Sequence, residues 1–318
     1  MAALTLVFRS PGDYRSAGDH AEKWRGALAA VLPEVNFLPW QEVTDPAAVD
    51  AALCWLPPEG WLASLPNLKL VHSLGAGVDH VLKDTLYPAH VPLVRLVDPH
   101  MTRAMTEYVT FQVLRLHLRE PTYRRQQAAV RWKAHAPPRA SERRVGILGL
   151  GELGAASAIQ LAALGFDVAG WSRTPKTLDG VTCFAGDEGF KAFLARTEIM
   201  VCLLPLTAAT EGILSAAVFA QMPKGAAIIN VGRGLHLVEA DLLAALDSGH
   251  LSEAVLDVFP KEPLASDHPF WKHERIVVTP HVAALTNPGT ASLIVAENLR
   301  RLMRGEAWPD RVDLTSGY

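Results

Sequence analysis

Cysteine is scarce in this sequence, and neither sign of charge is in excess. Three of the 318 residues are cysteine, Cys54, Cys183 and Cys202, and no CxxC spacing occurs among them. We therefore expect free thiols in a reducing compartment, with no disulfide framework and no metal site. Lysine and arginine number 30 against 33 acidic residues, and the two signs are interspersed. This balance gives no basic surface for nucleic acid or for an anionic membrane.

Long apolar runs are also missing. No run approaches the roughly 20 residues that a membrane-spanning helix needs, and residues 1–9 lack the basic and apolar segments of a signal peptide. We expect a β-strand at residues 1–9 and a cytoplasmic protein. The composition, 49% hydrophobic and 20% charged, is typical of a globular protein, and the length predicts about two domains.

Short apolar runs alternate with helical patterns along most of the chain. The first predicted strands lie at residues 4–8, 35–38, 52–55, 68–72 and 93–96, with a helix over 18–31. A helical pattern over 101–119 is followed by a polar, proline-containing stretch up to residue 144. Further strands are predicted at 144–148, 166–171, 199–203, 226–231, 254–257 and 275–278, before a last helix over 288–304. This alternation predicts an α/β fold with two doubly wound parallel sheets.

A glycine-rich turn lies near the middle of the chain, between the predicted strand 144–148 and an Ala/Leu-rich helix that ends in glycine at residue 165. A strand, a GxGxxG turn and a helix are the parts of a dinucleotide site, because the turn lets the backbone and the helix N-terminus approach the pyrophosphate. The predicted contacts are Gly149, Gly151, Glu152, Leu153 and Gly154. Methyltransferases also carry GxGxxG, so the turn alone leaves the class open.

No acidic residue lies at the carboxyl end of the second predicted strand of this unit, the position at which an acid would select NAD. The strand runs instead into Ser172, Arg173, Thr174 and, after a proline, Lys176. Arg173 can pair with a 2′-phosphate, and the two hydroxyls can donate to it. A solvated turn is the alternative interpretation. The missing acid favours NADPH over NADH and counts against a methyltransferase.

Three ionisable residues follow, each just past a predicted strand: Arg233 between two glycines, Glu262 between prolines and His281 after a proline. Ligands of open α/β sheets bind at the carboxyl ends of the strands, so we expect the three side chains to converge. Singly, each has an ordinary explanation, as a structural ion pair, a solvated acid or a surface histidine. Their joint occurrence after a dinucleotide-binding turn predicts that they form a catalytic site.

Reduction of a 2-keto acid needs such a set of residues. The carbonyl carbon takes a hydride from the nicotinamide while its oxygen takes a proton, and histidine is the natural donor near neutral pH. Glu262 would stabilise the imidazolium of His281 and fix its ring. Arg233 would hold the substrate carboxylate and polarise the carbonyl.

These motifs resemble those of the D-isomer-specific 2-hydroxyacid dehydrogenase family over nearly the whole chain. The matching blocks are residues 149–154, 204–207 with Thr210, 230–234, 256–263 and 279–283. Residues 171–174, 74–79 and the terminal Gly317 and Tyr318 resemble its NADPH-dependent glyoxylate/hydroxypyruvate reductase A branch. The implied activity is reduction of glyoxylate and hydroxypyruvate, with NADPH favoured and NADH possible.

The resemblance also implies site residues. Arg233 would bind substrate, and Glu262 would pair with His281, the acid/base. Further cofactor contacts would come from Leu204, Pro205, Thr210, Val231, Gly232 and Asp257, with Asp257 holding the nicotinamide carboxamide. The substrate carboxylate would bind the N–H groups of Gly75, Ala76 and Gly77 as an anion nest, next to pocket walls that include Trp55 and Leu74.

The family architecture implies a Rossmann cofactor domain, residues 103–282, inserted into a flavodoxin-like substrate-binding domain, residues 1–102 and 283–318, with the domains closing on substrate. It also implies a homodimer through the helix from Met101 and an arm containing Trp132. One position departs from the family pattern. Thr106 replaces a small apolar residue, which we expect to alter hinge packing and to spare the chemistry.

Alternatives remain within and outside the family. A D-3-phosphoglycerate or D-lactate dehydrogenase is the nearest rival, and the lack of an appended regulatory domain disfavours the former. Formate dehydrogenases of the family carry glutamine in place of Glu262. A non-catalytic nucleotide-sensing module could also retain Arg233, Glu262 and His281, although no disordered tail or basic patch supports this alternative.

Overall fold

The computed structural model describes residues 4–11, 20–315 and 317. The chain divides into two compact units, the first formed by Met1–Met101 with Thr286–Tyr318 and the second by Thr102–Leu285. The second unit is thus inserted in the sequence of the first. Residues 1–3, 18, 19 and Tyr318, which belong to predicted segments, lie outside the described residues.

The first unit contains a five-stranded parallel sheet with strand order β2-β1-β3-β4-β5. Its strands are β1 (Thr5–Arg9), β2 (Asn36–Pro39), β3 (Ala51–Cys54), β4 (Leu70–Ser73) and β5 (Leu93–Val94). Its helices are α1 (His20–Val31), α2 (Asp79–Leu82) and α9 (Pro288–Arg304). Every residue of β3 and β4 is buried, as expected for central strands covered on both faces. The strand order is that of flavodoxin-like folds.

The second unit contains a seven-stranded parallel sheet with strand order β12-β11-β10-β9-β6-β7-β8. Its strands are β6 (Arg144–Leu148), β7 (Asp167–Ser172), β8 (Thr182–Ala185), β9 (Ile199–Cys202), β10 (Ala226–Asn230), β11 (Leu251–Leu256) and β12 (Ile276–Val278). Its helices are α3 (Pro99–His117), which begins in the last residues of the first unit, α4 (Glu120–Ala128), α5 (Glu152–Ala163), α6 (Gly186–Arg196), α7 (Ala216–Phe219) and α8 (Glu239–Asp247). The order is that of a Rossmann fold extended by one strand.

Alternate residues of the same strand enter two apolar clusters of the second unit. Ile199 and Val201 belong to one cluster, and Met200 and Cys202 belong to the other. Because successive side chains of a strand point to opposite faces, the sheet is packed on both sides. The predicted α/β class with two parallel sheets is confirmed.

Two elements of the second unit were not predicted from the sequence. Strand β8 is a four-residue edge strand without a buried residue, and its apolar run of three residues is too short to predict a strand. Helix α4 lies in the stretch interpreted as polar, and Pro121 is its one buried residue. It is held partly by an ion pair between Arg125 and Glu253 of β11, with N–O distance 2.5 Å. No helix among the described residues combines the length and apolarity that a bilayer span requires.

Candidate active site

The glycine turn of the second unit connects β6 to α5, and its first and third glycines are sterically required. A Cβ on Gly149, whose φ is +107°, would lie 2.8 Å from the carbonyl carbon of Leu203, and a Cβ on Gly154 would lie 1.8 Å from the carbonyl oxygen of Gly149. Gly151 is the N-cap of α5, and a Cβ there would meet no atom within 4 Å. The open space at a helix N-terminus fits a pyrophosphate, as the fingerprint predicts.

The turn after β7 presents the predicted selectivity residues. Ser172 is buried, and its hydroxyl donates to the carbonyl of Thr174 at 2.7 Å. Its hydrogen therefore shapes the turn in this structure instead of pointing outward to a phosphate. Arg173, Thr174 and Lys176 are exposed. A cationic, acid-free turn fits the 2′-phosphate of NADPH better than the bare ribose of NADH.

Arg233 lies in the loop after β10, between two glycines. These glycines allow the loop to pack closely against Phe259 and His236. A Cβ on Gly234 would lie 1.9 Å from the carbonyl carbon of Phe259. A Cβ on Gly232 would lie 3.0 Å from the ring of His236. The side chain of Asn230 braces the same loop, donating to the carbonyl of Arg233 at 3.0 Å and accepting from the N–H of Gly232 at 3.2 Å.

His236 is a buried residue of this loop that was not predicted from the sequence to belong to the site. Its Nδ1 accepts the backbone N–H of Arg233 at 3.0 Å, so the proton of the neutral ring is on Nε2. Nε2 faces the carbonyl of Pro205 at 3.3 Å. The imidazole therefore joins the Arg233 loop to the predicted cofactor-lining loop. Its position inside an apolar run directly after the glycines was the available signal.

The loop after β9 is closed by Thr210, whose hydroxyl donates to the carbonyl of Pro205 at 2.7 Å and accepts the N–H of Thr207 at 2.9 Å. Leu204 in this loop and Val231 after β10 are both buried. The predicted cofactor residues of these two loops thus follow the neighbouring strands β9 and β10.

Asp257 is buried, and its carboxylate braces the loop that carries His281. It accepts the hydroxyl of Thr279 at 2.6 Å and the N–H groups of Val282 and Ala283 at 2.9 and 3.0 Å. Its backbone carbonyl accepts the N–H of His281 at 2.8 Å. Burial raises the pKa of this carboxyl, against the opposing effect of these hydrogen bonds. Tyr108 of α3 adds to this hydrogen-bond network, because its hydroxyl donates to the hydroxyl of Thr279 at 2.6 Å.

His281 and Glu262 form the central pair of the site. Nδ1 of His281 lies 2.8 Å from Oε2 of Glu262, and the two side chains are 19% and 16% exposed. Oε1 of Glu262 accepts the N–H of Phe259 at 3.0 Å, which fixes the carboxylate. His281 has a φ of +54°, an uncommon conformation for a residue with a side chain. The structure therefore brings together the acid and the histidine that lie 19 positions apart in sequence.

The loops of the first unit that were predicted to bind substrate follow β3 and β4. Leu74 is buried, and the ring of Trp55 lies against Gly75, where a Cβ would approach it to 2.9 Å. The N–H of Gly75 donates to the hydroxyl of Ser73 at 3.1 Å. Within the described chain, the amides of Ala76 and Gly77 have no backbone acceptor. Of the three amides predicted to form an anion nest, that of Gly75 therefore already has an acceptor in this unit.

Comparison with known proteins supports the same family. The family model described as D-isomer specific 2-hydroxyacid dehydrogenase, NAD binding domain, matches residues 110–283. A glyoxylate/hydroxypyruvate reductase A of Yersinia enterocolitica is 45% identical over 303 residues, covering 94% of this chain and 96% of that protein.

Two solved structures are similar over the whole chain. The D-isomer specific 2-hydroxyacid dehydrogenase from Xanthobacter autotrophicus Py2 in complex with NADPH and MES is 46% identical, with TM-score 0.93 and 100% of both chains covered. The NADPH-dependent glyoxylate/hydroxypyruvate reductase from Sinorhizobium meliloti in complex with NADP and sulfate is 36% identical, with TM-score 0.90 and coverage of 99% and 100%. The resemblance predicted from the motifs is confirmed: this chain belongs to the D-isomer-specific 2-hydroxyacid dehydrogenase family.

Proposed function

We propose that this protein reduces small 2-keto acids to 2-hydroxy acids with NADPH, and that glyoxylate and hydroxypyruvate are its favoured substrates. The observation that carries the proposal is the contact between His281 and Glu262, 2.8 Å between Nδ1 and Oε2, in a loop braced by Asp257. A histidine oriented by a fixed carboxylate is suited to transfer a proton in a defined direction. The similar proteins of Yersinia enterocolitica and Sinorhizobium meliloti are glyoxylate/hydroxypyruvate reductases, which supports the same reaction and substrates.

NADPH, when bound, supplies the hydride that forms the new C–H bond at substrate C2. The electron pair of the carbonyl π bond moves to oxygen, which takes a proton from Nε2 of His281. Glu262 faces Nδ1, so it holds the ring in one orientation and stabilises the imidazolium before transfer. The products are a 2-hydroxy acid and NADP⁺, and solvent then restores the proton to His281.

Arg233 is the residue proposed to bind the substrate carboxylate and to polarise the carbonyl. Its backbone is fixed by Asn230 and His236, and its guanidinium donates to the carbonyl of Gly232 at 2.8 Å. In the first unit, the amides of Ala76 and Gly77 are proposed to donate to a substrate carboxylate as an anion nest. The proposed role of Asp257 toward the carboxamide would be added to its observed role in bracing the loop.

Cofactor choice is proposed to depend on the turn 172–176. That turn has no acid, and Arg173 and Lys176 are exposed on it. A guanidinium pairs with a phosphate in a fork that a ribose hydroxyl cannot replace. The two similar structures described above, which are complexes with NADPH and with NADP, support this preference.

The test is a panel of 2-keto acids assayed with both cofactors by the loss of absorbance of the reduced nicotinamide. Glyoxylate and hydroxypyruvate with NADPH should give the highest kcat/KM. Higher values with pyruvate or with 3-phosphohydroxypyruvate would favour the lactate or phosphoglycerate alternatives. Tight NADPH binding without turnover on any acid would favour a nucleotide-sensing module.

A homodimer is the assembly that we propose, through α3, α4 and the segment that follows α4. Trp132 and Val130 are almost fully exposed in the single chain, and Phe111 of α3 is also exposed. Large apolar side chains exposed in this way favour a protein partner, and a second copy of the chain is the commonest one. A cytoplasmic location is proposed on the free thiols, which include the half-buried Cys183.

A further inference from the structure

His80 lies in the first unit, in α2, and has no role in the function proposed above. Its ring is buried between two loops of that unit, one containing Trp55 and Leu56 after β3 and the other containing Gly75–Gly77 after β4. These are the two loops from which the sequence predicted the substrate pocket. A single imidazole therefore contacts both of them.

The hydrogen bonds of this ring define its protonation. Nδ1 accepts the backbone N–H of Leu56 at 3.1 Å, so the proton of the neutral ring is on Nε2. Nε2 lies 3.1 Å from the hydroxyl of Ser73 and donates to it. Both ring nitrogens thus have partners, one in each loop.

Ser73 links His80 to the Gly75–Gly77 loop by hydrogen bonds. Its Oγ accepts the N–H of Gly75 at 3.1 Å and donates its own hydrogen to the carbonyl of Gly77 at 3.1 Å. With the bond from His80, the hydroxyl uses both lone pairs and its hydrogen. The turn is thereby held at both ends, while the amides of Ala76 and Gly77 have no backbone acceptor in the described chain.

Packing holds the two loops together as well. The rings of Trp55 and His80 lie with their centroids 3.9 Å apart. Leu56 has a φ of +48°, a conformation that a leucine rarely adopts, and its N–H is the group that His80 accepts. Loss of the imidazole would therefore remove the hydrogen bond that holds the strained Leu56 and the one that holds Ser73 and the glycine turn.

We propose that His80 and Ser73 are positioning residues for substrate binding, which hold the Gly75–Gly77 turn in the shape that receives the substrate carboxylate. The inference rests on the proposed function, because it takes the carboxylate of a 2-keto acid as the ligand. It adds two residues that do not touch substrate and act through the turn. It predicts that their loss weakens binding of the acid and leaves binding of NADPH unchanged, since the predicted NADPH contacts belong to the other unit.

The experiment compares His80→Phe, which keeps a ring against Trp55, with Ser73→Ala and the double variant. Steady-state kinetics give KM for glyoxylate, KM for NADPH and kcat. Binding of oxamate, an unreactive 2-keto acid analogue, is measured by the fluorescence of enzyme-bound NADPH. We expect KM for glyoxylate and Kd for oxamate to rise about tenfold in each single variant, with kcat and KM for NADPH within about twofold of the parent. The double variant should be no weaker than the weaker single variant, because both changes break one network.

His90→Phe is the matched control, since His90 is an exposed histidine of the same unit. Unchanged KM and Kd in folded His80→Phe would overturn the inference, and so would a parallel rise in KM for NADPH or additive effects in the double variant. If His80→Phe does not fold, His80→Gln and Ser73→Ala give the same comparison. Absence of turnover by the parent enzyme would contradict the proposed function, whereas oxamate binding that depends on His80 would still support the positioning role.

Discussion

The Nδ1 atom of His281 lies 2.8 Å from Oε2 of Glu262, and the other oxygen of that carboxylate accepts the N–H of Phe259 at 3.0 Å. The acid is thus fixed by its own loop and can orient the imidazole without moving. A second pair of the same kind occurs in this unit, where Nε2 of His268 lies 3.3 Å from Oε2 of Glu239. The two pairs allow a chemically matched comparison.

Replacement of the acid should slow catalysis more than it weakens binding. Glu262→Gln keeps the size of the side chain but cannot balance the positive charge on His281, so we expect kcat to fall by about 10- to 100-fold. His281→Ala should lower kcat by roughly 100-fold or more. Glu239→Gln is the control and should leave kcat within about twofold of the parent. Steady-state kinetics with glyoxylate and NADPH give these values, and full activity of His281→Ala would remove His281 from the role of acid.

Reversal of charge in the turn after β7 should change the cofactor preference. Arg173→Asp replaces the proposed phosphate partner by a group that repels phosphate and accepts from a ribose hydroxyl. We expect KM for NADPH to rise by at least tenfold while KM for NADH changes little or falls. Lys191→Asp, an equal change of charge at an exposed position of α6, should affect neither value. Equal use of both cofactors by the parent enzyme would contradict the assignment.

A methyl group on the second glycine of the Arg233 loop should displace that loop. In Gly234→Ala the new Cβ would lie 1.9 Å from the carbonyl carbon of Phe259, so the backbone of one segment must shift. Small displacements of a binding group cost up to about 100-fold in rate, and we expect kcat/KM to fall at least tenfold. Gly26→Ala in α1, where the Cβ meets no atom within 4 Å, should raise the free energy of unfolding by about 0.5–1 kcal/mol. Parent-like kinetics of Gly234→Ala would show that the loop tolerates the shift.

Acid should destabilise the protein through His72 of β4. Burial lowers the pKa of this histidine from 6.5 to about 4. Its Nδ1–H donates to the carbonyl of Ser73, and its Nε2 accepts from Asn298 of α9 at 3.0 Å, so the ring must be neutral in the fold. The folded pKa is the lower one, so the stabilisation is fully present above pH 6.5 and is lost as the pH falls toward 4.

For this residue we expect a loss of about 2 kcal/mol in the free energy of unfolding between pH 7 and pH 5. Urea unfolding at a series of pH values measures it. His72→Gln should be less stable than the parent at pH 7 and should lose less stability on acidification. His90→Gln, at an exposed position, should follow the parent curve. A His72→Gln curve parallel to that of the parent would show that His72 does not carry the effect.

The exposed tryptophan after α4 should be required for self-association. Trp132→Ala removes the largest exposed apolar side chain of that surface, and we expect a dimer-to-monomer change or a Kd raised by at least 100-fold. Trp271→Ala, at a half-exposed tryptophan elsewhere in the same unit, should leave the assembly unchanged. Sedimentation velocity measures both variants against the parent. A parent protein that stays monomeric at micromolar concentration would exclude the proposed dimer.

Much of the fold could be predicted because its signals are local in the chain. The predicted bounds of β6 and α9 equal those of the structure, Arg144–Leu148 and Pro288–Arg304. Helix α9 has an Asn287 N-cap, a proline in its first turn and a left-handed Gly305 after its end, and each of these is specified by neighbours in sequence. Strand β8 and helix α4 lack such signals, since one is a half-exposed edge strand and the other has a mostly polar composition.

The sequence by itself determined the residue types available for chemistry and their places at strand ends, including Arg233, Glu262 and His281. The tertiary structure decided which side chains are held by hydrogen bonds and which residues are their partners. His236 accepts from Arg233 and faces Pro205, 31 positions away, and His80 joins Leu56 to Ser73. An imidazole has two ring nitrogens whose roles depend on the groups that face them, and those groups come from distant parts of the chain. The hydrogen-bond partners of these rings could therefore be identified only from the folded chain.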